Sequence, residues 1–211
     1  MGRPSRALLS RAVIARAALE LLDEEGTQAL TMRALATRLG VRGASLYNHI
    51  SSKEEVLDAA SQLINEEIDL SPLRRPDWRE GIVEYARGYR QVYLRHPNMI
   101  PLVARRRVEA DKALRGYDTL LGTLVGAGLT PAVAAEAAAA IDYLVLGSAL
   151  ETFTAGFARP PAGYRPDYPA LADSLEGAAA TDGGLPELDD RGFALGLGLL
   201  LDGLAARLRH D

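Results

Sequence analysis

Residues 31–53, TMRALATRLGVRGASLYNHISSK, decide the fold. Met32, Leu35, Ala36 and Leu39 fall at i, i+3, i+4 and i+7, one apolar stripe on a helix. Thr31 stands where an N-cap oxygen is wanted, and Gly40 where the chain must leave that helix in a left-handed conformation. A second, shorter helix is expected over 43–49, with Leu46 and Ile50 as its only obvious core residues. That leaves Arg42, Ser45, Tyr47, Asn48 and His49 for other work. Two short helices joined by a tight turn, the second with a polar, aromatic and basic open face, suit insertion into a DNA major groove.

Charge points the same way. Residues 1–53 carry eight Arg or Lys against four Asp or Glu, a net of +4, and the remainder carries 16 against 24, a net of −8. A basic N-terminal quarter on an acidic body is the footprint of a chain that meets a polyanion with one end only. Solvated basic faces are common, so the charge gains its meaning from the helix pattern beside it.

The 211 residues, 48% hydrophobic and 25% charged, fit a soluble globular protein. No run approaches 18 uninterrupted apolar residues, so no membrane span is expected. Arg11 and Arg16 interrupt the apolar N-terminal stretch and Asp23, Glu24 and Glu25 close it, which favours an amphipathic helix over a signal peptide and a cytoplasmic location. Cysteine is absent, which excludes disulfides, thiolate metal sites and cysteine nucleophiles.

No strand pattern stands out, and the expected class is all-α. A first helix is expected over 8–25, burying Ile14, Ala18, Leu21 and Leu22 and ending at Gly26. Ser52 and Glu55 form a capping box, with Glu55 reaching back to the cap, for a connecting helix over 53–70. That helix carries Val56, Leu57, Ala60, Leu63 and Ile64 on one side. Residues 71–76, SPLRRP, read as a connector to a second domain over 71–211. Asp77 and Glu80 open the next helix, which stops before Pro97, and another closes on Gly128. Thr130 and Pro131 then supply an N-cap and an N1 proline for a long helix over 132–157. Its middle is apolar nearly all round, so burial on most sides is expected. Residues 158–188 are rich in Pro, Gly and Asp and are expected to be partly mobile, with one short helix near 171–179.

The last helix, expected over 189–209, has more apolar surface than one body of this size needs. It is either a central core helix or, with the 132–157 helix, an interface to a second copy. The dimer is preferred, because two-fold readers of DNA need one.

The stretch 31–57 resembles the DNA-binding signature of the TetR (tetracycline repressor) family of bacterial transcription regulators. The likeness runs through the capping Thr31, Leu35-Ala36, Leu39-Gly40-Val41, Leu46-Tyr47 with His49, and Lys53 with Leu57. The C-terminal part is similar to the tetracycline-repressor type in Trp78, His96-Pro97, Tyr117 to Leu120, Leu146-Gly147 with Glu151, and the closing helix from Phe193. The resemblance implies an N-terminal three-helix DNA-binding domain with a helix-turn-helix, a C-terminal helical ligand-binding and dimerisation domain, and a homodimeric repressor. Its partners would be double-stranded operator DNA and a small-molecule effector, with no membrane involved.

On this reading Arg33 and Arg42 contact bases or phosphates, since a guanidinium is shaped for guanine O6 and N7 and for bidentate phosphate grips. Ser45 can donate to a phosphate or base, Ala44 offers a methyl surface to thymine, and Gly43 lets the backbone approach. The matching family positions imply phosphate contacts for Tyr47 and His49. Thr31 can bond a phosphate as well as cap its helix, and Lys53 adds charge at a helix N-terminus. Asn48 departs from the aromatic residue common there, and its role stays open. For Tyr47 and His49 the rival reading is structural packing.

In the family's tetracycline repressors, histidines and polar residues hold a magnesium–drug chelate. The positions that match here are Asp69, Tyr85, Tyr89, Val103, Thr123 and Tyr143. Val103 has no metal-ligating atom, and Asp69 and Tyr143 stand in place of histidines. Magnesium–tetracycline is therefore not the expected effector, and no metal or other cofactor is expected. A tyrosine-rich lining with Trp78 beside it suits a planar or aromatic compound, although tyrosines at such spacings also serve as core or interface residues. Ligand held between the Trp78 helix and the Ala132 helix would tilt the 53–70 helix and change the separation of two DNA-binding heads.

An enzyme is the first rival. His49, His96 and His210 show no metal-ligand spacing, and no nucleophile elbow or phosphate-cradling loop is present. An activator of the same fold is the second, because the position of the operator decides between activation and repression.

Overall fold

A computed structural model describes residues 9–104, 107–108 and 110–208, and every regular element among them is helical. The chain divides into two compact units, residues 1–127 and 128–211.

In the first unit, α1 (Arg11–Glu25) starts where Ser10 Oγ accepts from the Val13 N–H at 3.3 Å and ends at Gly26, φ 83°. It begins later than expected because this cap stands at Ser10, and Leu8 lies outside the described residues. Then follow α2 (Met32–Leu39), α3 (Gly43–Tyr47) and α4 (Lys53–Glu67). α1 packs along α4 and against α2, and α2 packs on α3. Ile14, Leu22, Leu35, Leu46, Ile50, Val56 and Ile64 fill the core between them.

The cap of α4 differs in one detail from the sequence expectation. Ser52 Oγ accepts from the Glu55 N–H at 3.2 Å, but the Glu55 carboxylate takes the N–H and hydroxyl of Ser51, each at 2.8 Å. Arg11 adds an ion pair at 2.6 Å. The Ser51 backbone bond, then its hydroxyl and Arg11, hold the Glu55 carboxyl below its ordinary value. A lowered pKa stabilises the fold above the unfolded carboxylate range, and that contribution disappears as the pH falls through the folded value.

Residues 71–76 are no loose connector. Ser71–Arg74 form a 3₁₀ turn with Pro72 and Leu73 buried against α5 (Trp78–Arg95). A Cβ on Gly81 would stand 2.5 Å from the Pro72 carbonyl oxygen, so only glycine permits this approach. Asp77 Oδ1 caps α5 through the N–H groups of Arg79 and Glu80, at 2.8 and 3.2 Å. A 3₁₀ turn (Pro97–Met99), α6 (Ile100–Val103) and α7 (Asp111–Gly126) complete the unit. α7 packs on α4, α5 and the Ser71–Arg74 turn.

In the second unit, α8 (Pro131–Leu150) is capped by Thr130 Oγ, which accepts from the Val133 N–H at 3.4 Å. It stops well short of residue 157. Asp189, at the start of α10 (Leu188–Arg207), takes the Phe153 N–H at 2.9 Å and the Thr154 hydroxyl at 2.6 Å, holding the chain out of the helix. Arg209, the expected end of the last helix, lies outside the described residues.

The segment 158–188 carries hydrogen bonds and ion pairs along its length. It holds α9 (Pro169–Ala179) between 3₁₀ turns at Pro161–Tyr164 and Leu185–Glu187. Arg165 bridges Asp173 and Glu176 at 2.6 Å each. Arg191 donates to the carbonyls of Ala178, Asp182 and Gly184, closing the C-terminal end of α9.

α8 and α10 pack together, with Leu144 Cδ1 3.2 Å from where a Gly196 Cβ would sit. Ala137, Ile141 and Val145 of α8 and Phe193, Leu197 and Leu201 of α10 are buried. The burial of α8 on most sides is not met within one chain: only 33% of its most apolar stretch, mean hydropathy 1.5, is covered. By length and composition that helix could cross a membrane, but Glu136 and Asp142 interrupt it and α10 covers one side. Tyr143 is 75% exposed, Leu195 65% and Leu199 64%.

Because the clash at Gly81 is with backbone, Gly81→Ala is expected to cost about 1–3 kcal/mol, read as a lowered midpoint in chemical denaturation.

Candidate nucleic-acid interface

The candidate interface is built from the short elements that α1 and α4 enclose. Thr31 Oγ1 accepts from the Ala34 N–H at 3.1 Å, which fixes the start of α2. Arg33 lies exposed in the first turn of that helix. Leu35 and Ala36 are buried on the opposite side. Gly40, φ 62° and ψ 35°, ends α2 in the left-handed conformation, and the Val41 N–H closes on the Ala36 carbonyl at 3.0 Å. This turn sets the direction in which α3 leaves.

α3 ends at Tyr47, two residues before the expected limit. Leu46 and Ile50 are buried as the sequence pattern indicates, and both the His49 and Ile50 N–H groups bond the Leu46 carbonyl. With that side pinned inward, Arg42, Gly43, Ala44, Tyr47, Asn48 and His49 are exposed and Ser45 is half-buried. Tyr47 is 55% exposed, which leaves its ring available to a partner. Nothing lies within 4 Å of a Cβ built on Gly43, so this position faces open space. Lys53, half-exposed, opens α4 beside Ser52.

The structure redistributes the positive charge counted in the sequence. Arg38, on α2, is enclosed by acids of α1: it is bonded to Glu24, with Glu25 at 3.4 Å and Glu20 at 4.0 Å. The Arg38 hydrogen bond holds the Glu24 carboxyl below its ordinary value, and Glu24 raises the Arg38 guanidinium in return. Arg11 is occupied by Glu55. Among the described residues, Arg16, Arg33, Arg42 and Lys53 form no ion pair. Arg11 and Arg38 therefore hold α1 against its neighbours, roles that residue type alone did not reveal. The alternation of acids on α1 with a base on α2 was the available signal.

The ligand-side residues lie in both units. Asp69 is exposed and bonds the Ser71 N–H at 2.9 Å and its hydroxyl at 2.7 Å. The Ser71 N–H, then its hydroxyl and Lys112, lower the pKa of Asp69. Thr123 Oγ1 lies 2.9 Å from the carbonyls of both Leu73 and Thr119, so Asp69 and Thr123 are both tied to the turn after α4 or its flank. Tyr85 is buried and Tyr89 half-buried, their ring centroids 5.8 Å apart, and Tyr93 extends the row at 5.4 Å. Trp78 and Val103 are half-buried. Tyr143 stands on α8 in the second unit.

Residues 14–60 match the family described as bacterial regulatory proteins, tetR family, and residues 71–208 match the tetracyclin repressor-like C-terminal domain. The chain belongs to the TetR family. It is thus a transcriptional regulator, from a family of regulators rather than enzymes. It is 33% identical over 196 residues to the class A tetracycline repressor from transposon 1721 of Escherichia coli, covering 92% of this chain and 89% of that one. An HTH-type transcriptional regulator of Saccharopolyspora erythraea is 36% identical over 144 residues, 68% of this chain and 61% of the relative. Among solved structures, the TetR family protein ActR of Streptomyces coelicolor in complex with actinorhodin aligns with a TM-score of 0.77. It shares 29% identity over 95% of this chain and 97% of that one.

Arg42→Ala is expected to weaken operator binding by about 1–3 kcal/mol if the guanidinium reads a base, or to reduce the salt slope by about one if it grips a phosphate. Titration of labelled operator at several salt concentrations separates the two, and helix content by circular dichroism is expected to be unchanged.

Proposed function

We propose that this TetR-family regulator is a homodimeric repressor that binds a palindromic operator and is released by a small-molecule effector. The observation that carries the reading is the exposed face of α2, α3 and the start of α4. There Arg33, Arg42 and Lys53 are unpaired among the described residues, while Leu35, Leu46 and Ile50 are buried and Tyr47 is the one large aromatic or aliphatic side chain left exposed. Thr31, Ser45, Tyr47, Asn48 and His49 supply polar groups for phosphates, and Gly43 and Ala44 leave the backbone room to approach bases. Residues 1–53 act as the DNA-binding domain, the helix after Ser52 as the connecting lever, and residues 71–211 as the ligand-binding and dimerisation domain. The protein works in the cytoplasm, where its DNA is.

The dimer reading rests on the second unit. Gly192, Leu195, Leu199 and Gly203 form one exposed stripe on α10, and Tyr143 and Leu150 stand exposed on α8. Two copies packed through these helices would bury those leucines in a bundle and place two α3 helices in successive major grooves, roughly 34–36 Å apart for half-sites one turn apart.

For effector binding the candidates are Asp69, Trp78, Tyr85, Tyr89, Val103 and Thr123 in the first unit and, separately, Tyr143 in the second, which also stands on the exposed face of α8. These residues do not fit a magnesium–tetracycline chelate. The Asp69 carboxylate is already engaged by Ser71, Thr123 is bonded to backbone, and Val103 offers no ligand atom. A planar aromatic compound matches the tyrosine row better. Failure of a panel of aromatic compounds to shift the melting temperature would remove this class.

Selection of bound fragments from a random duplex library is expected to recover a palindrome, and recovery of no preferred sequence would sink the operator reading. Leu195→Glu combined with Leu199→Glu is expected to yield monomers in sedimentation and to lose operator binding, while circular dichroism retains the helices.

A further inference from the structure

At the end of α5, Arg95, His96 and Asn98 tie that helix to the far ends of α1 and α4. His96 Nδ1 lies 2.8 Å from Asp23 Oδ2 of α1, and its Nε2 lies 3.8 Å from Glu67 Oε1 of α4. Asn98 Nδ2 donates to the Leu22 carbonyl of α1 at 2.9 Å. Arg95 reaches the other oxygen of Glu67 at 2.5 Å. Between His96 and Asn98, Pro97 fixes the backbone of the 3₁₀ turn that leads into α6. α1 and α4 are the two helices that enclose the candidate DNA-binding elements; this corner holds α1 against the Pro97–Met99 turn and α4 where it meets α5 and α6.

We propose that the His96–Pro97–Asn98 corner is a proton-sensitive clasp that sets how firmly the DNA-binding helices are held to the helices behind them. The chemistry follows from the two carboxylates that face one imidazole. A neutral ring carries one N–H, so it donates to Asp23 or turns a donor toward Glu67, but not both. A protonated ring donates from both nitrogens and adds a positive charge between two negative ones. Among the described residues, Arg95, paired with Glu67, is the one cation in the cluster, and α6 contributes no titratable side chain. The His96 side chain is 15% exposed and that of Asp23 27%, so solvent screens their interaction only in part. Asn98 keeps a neutral bond to α1 at every pH, so protonation tightens a joint that is already formed.

The operator arm of the test rests on the repressor reading above, and the melting arm does not. Thermal unfolding of wild type, H96Q, D23N and the double variant is to be compared at about pH 8 and about pH 6, the range in which imidazoles gain a proton. The pairwise coupling between positions 23 and 96 is expected to grow on acidification, and equal coupling at both values overturns the clasp. In operator titrations, the ratio of wild-type to H96Q affinity is expected to change about threefold over the same range, the size of one partly exposed charge pair. D23N is expected to superimpose on H96Q. His49 is present in every protein compared, so its own effect on DNA binding cancels in the ratio. Coupling in the melts with parallel operator curves would overturn the link between the clasp and DNA. A wild type that selects no operator would instead remove the repressor reading and leave the melting arm as the judge of the clasp.

Discussion

A helix of five residues has no stability of its own, and the candidate DNA-binding face depends on that fact. One turn fixes more backbone angles than its hydrogen bonds repay, so α3 exists only because its neighbours hold it. Leu46 and Ile50 supply the grip by filling the space between α1, α2 and α4, and Gly40 aims the chain so that they can. Burying two such side chains is worth about 3–6 kcal/mol, enough to order one turn and little beyond it. Everything exposed on α3 is therefore positioned by residues that never reach the surface. The ion pairs of Arg11 and Arg38 serve the same end, because they hold α1 against the helices that enclose α3.

The parts of this fold that were readable from sequence are those governed by local chemistry. Thr31, Ser52, Asp77 and Thr130 cap the helices they precede, and Gly26 and Gly40 end the helices they follow, each within a few residues of its cause. The apolar spacing of α2 placed Leu35 and Ala36 in the core for the same reason. What escaped was settled by partners far along the chain. α8 ends early because Asp189 captures Phe153 and Thr154, a contact across more than thirty positions that no periodicity encodes. The segment 158–188 has the composition of a loop, yet Arg165 and Arg191 bond it into place. At the DNA face, residue types were legible but their availability was not. Arg38 and Arg42 look alike in sequence, and only the acids of α1 distinguish them.

The second unit shows the opposite balance. Its helices α8 and α10 cover each other on one side and leave aromatic and aliphatic side chains open on the other. A monomer rarely tolerates such a surface, since exposed apolar patches of this kind drive association. The glycines on α10 lower its intrinsic helix propensity, which makes packing rather than local preference the main source of its order. Under the proposed dimer, folding and assembly of that unit would be coupled, and its stability would depend on protein concentration.

The open space around Gly43 bears on how such a regulator can change its target. The position sits at the first turn of the DNA-facing helix, has an unremarkable backbone angle, and would meet no protein atom if it gained a side chain. Most substitutions on a packed helix must trade a new contact against a lost one. Here a new side chain would meet no protein atom, under the proposed reading would face the nucleic acid, and would also relieve the entropic weakness of glycine in a helix, worth roughly 0.5–1 kcal/mol. If α3 reads the operator as proposed, descendants of this sequence can acquire new preferences at residue 43 without any compensating change in the packing around it.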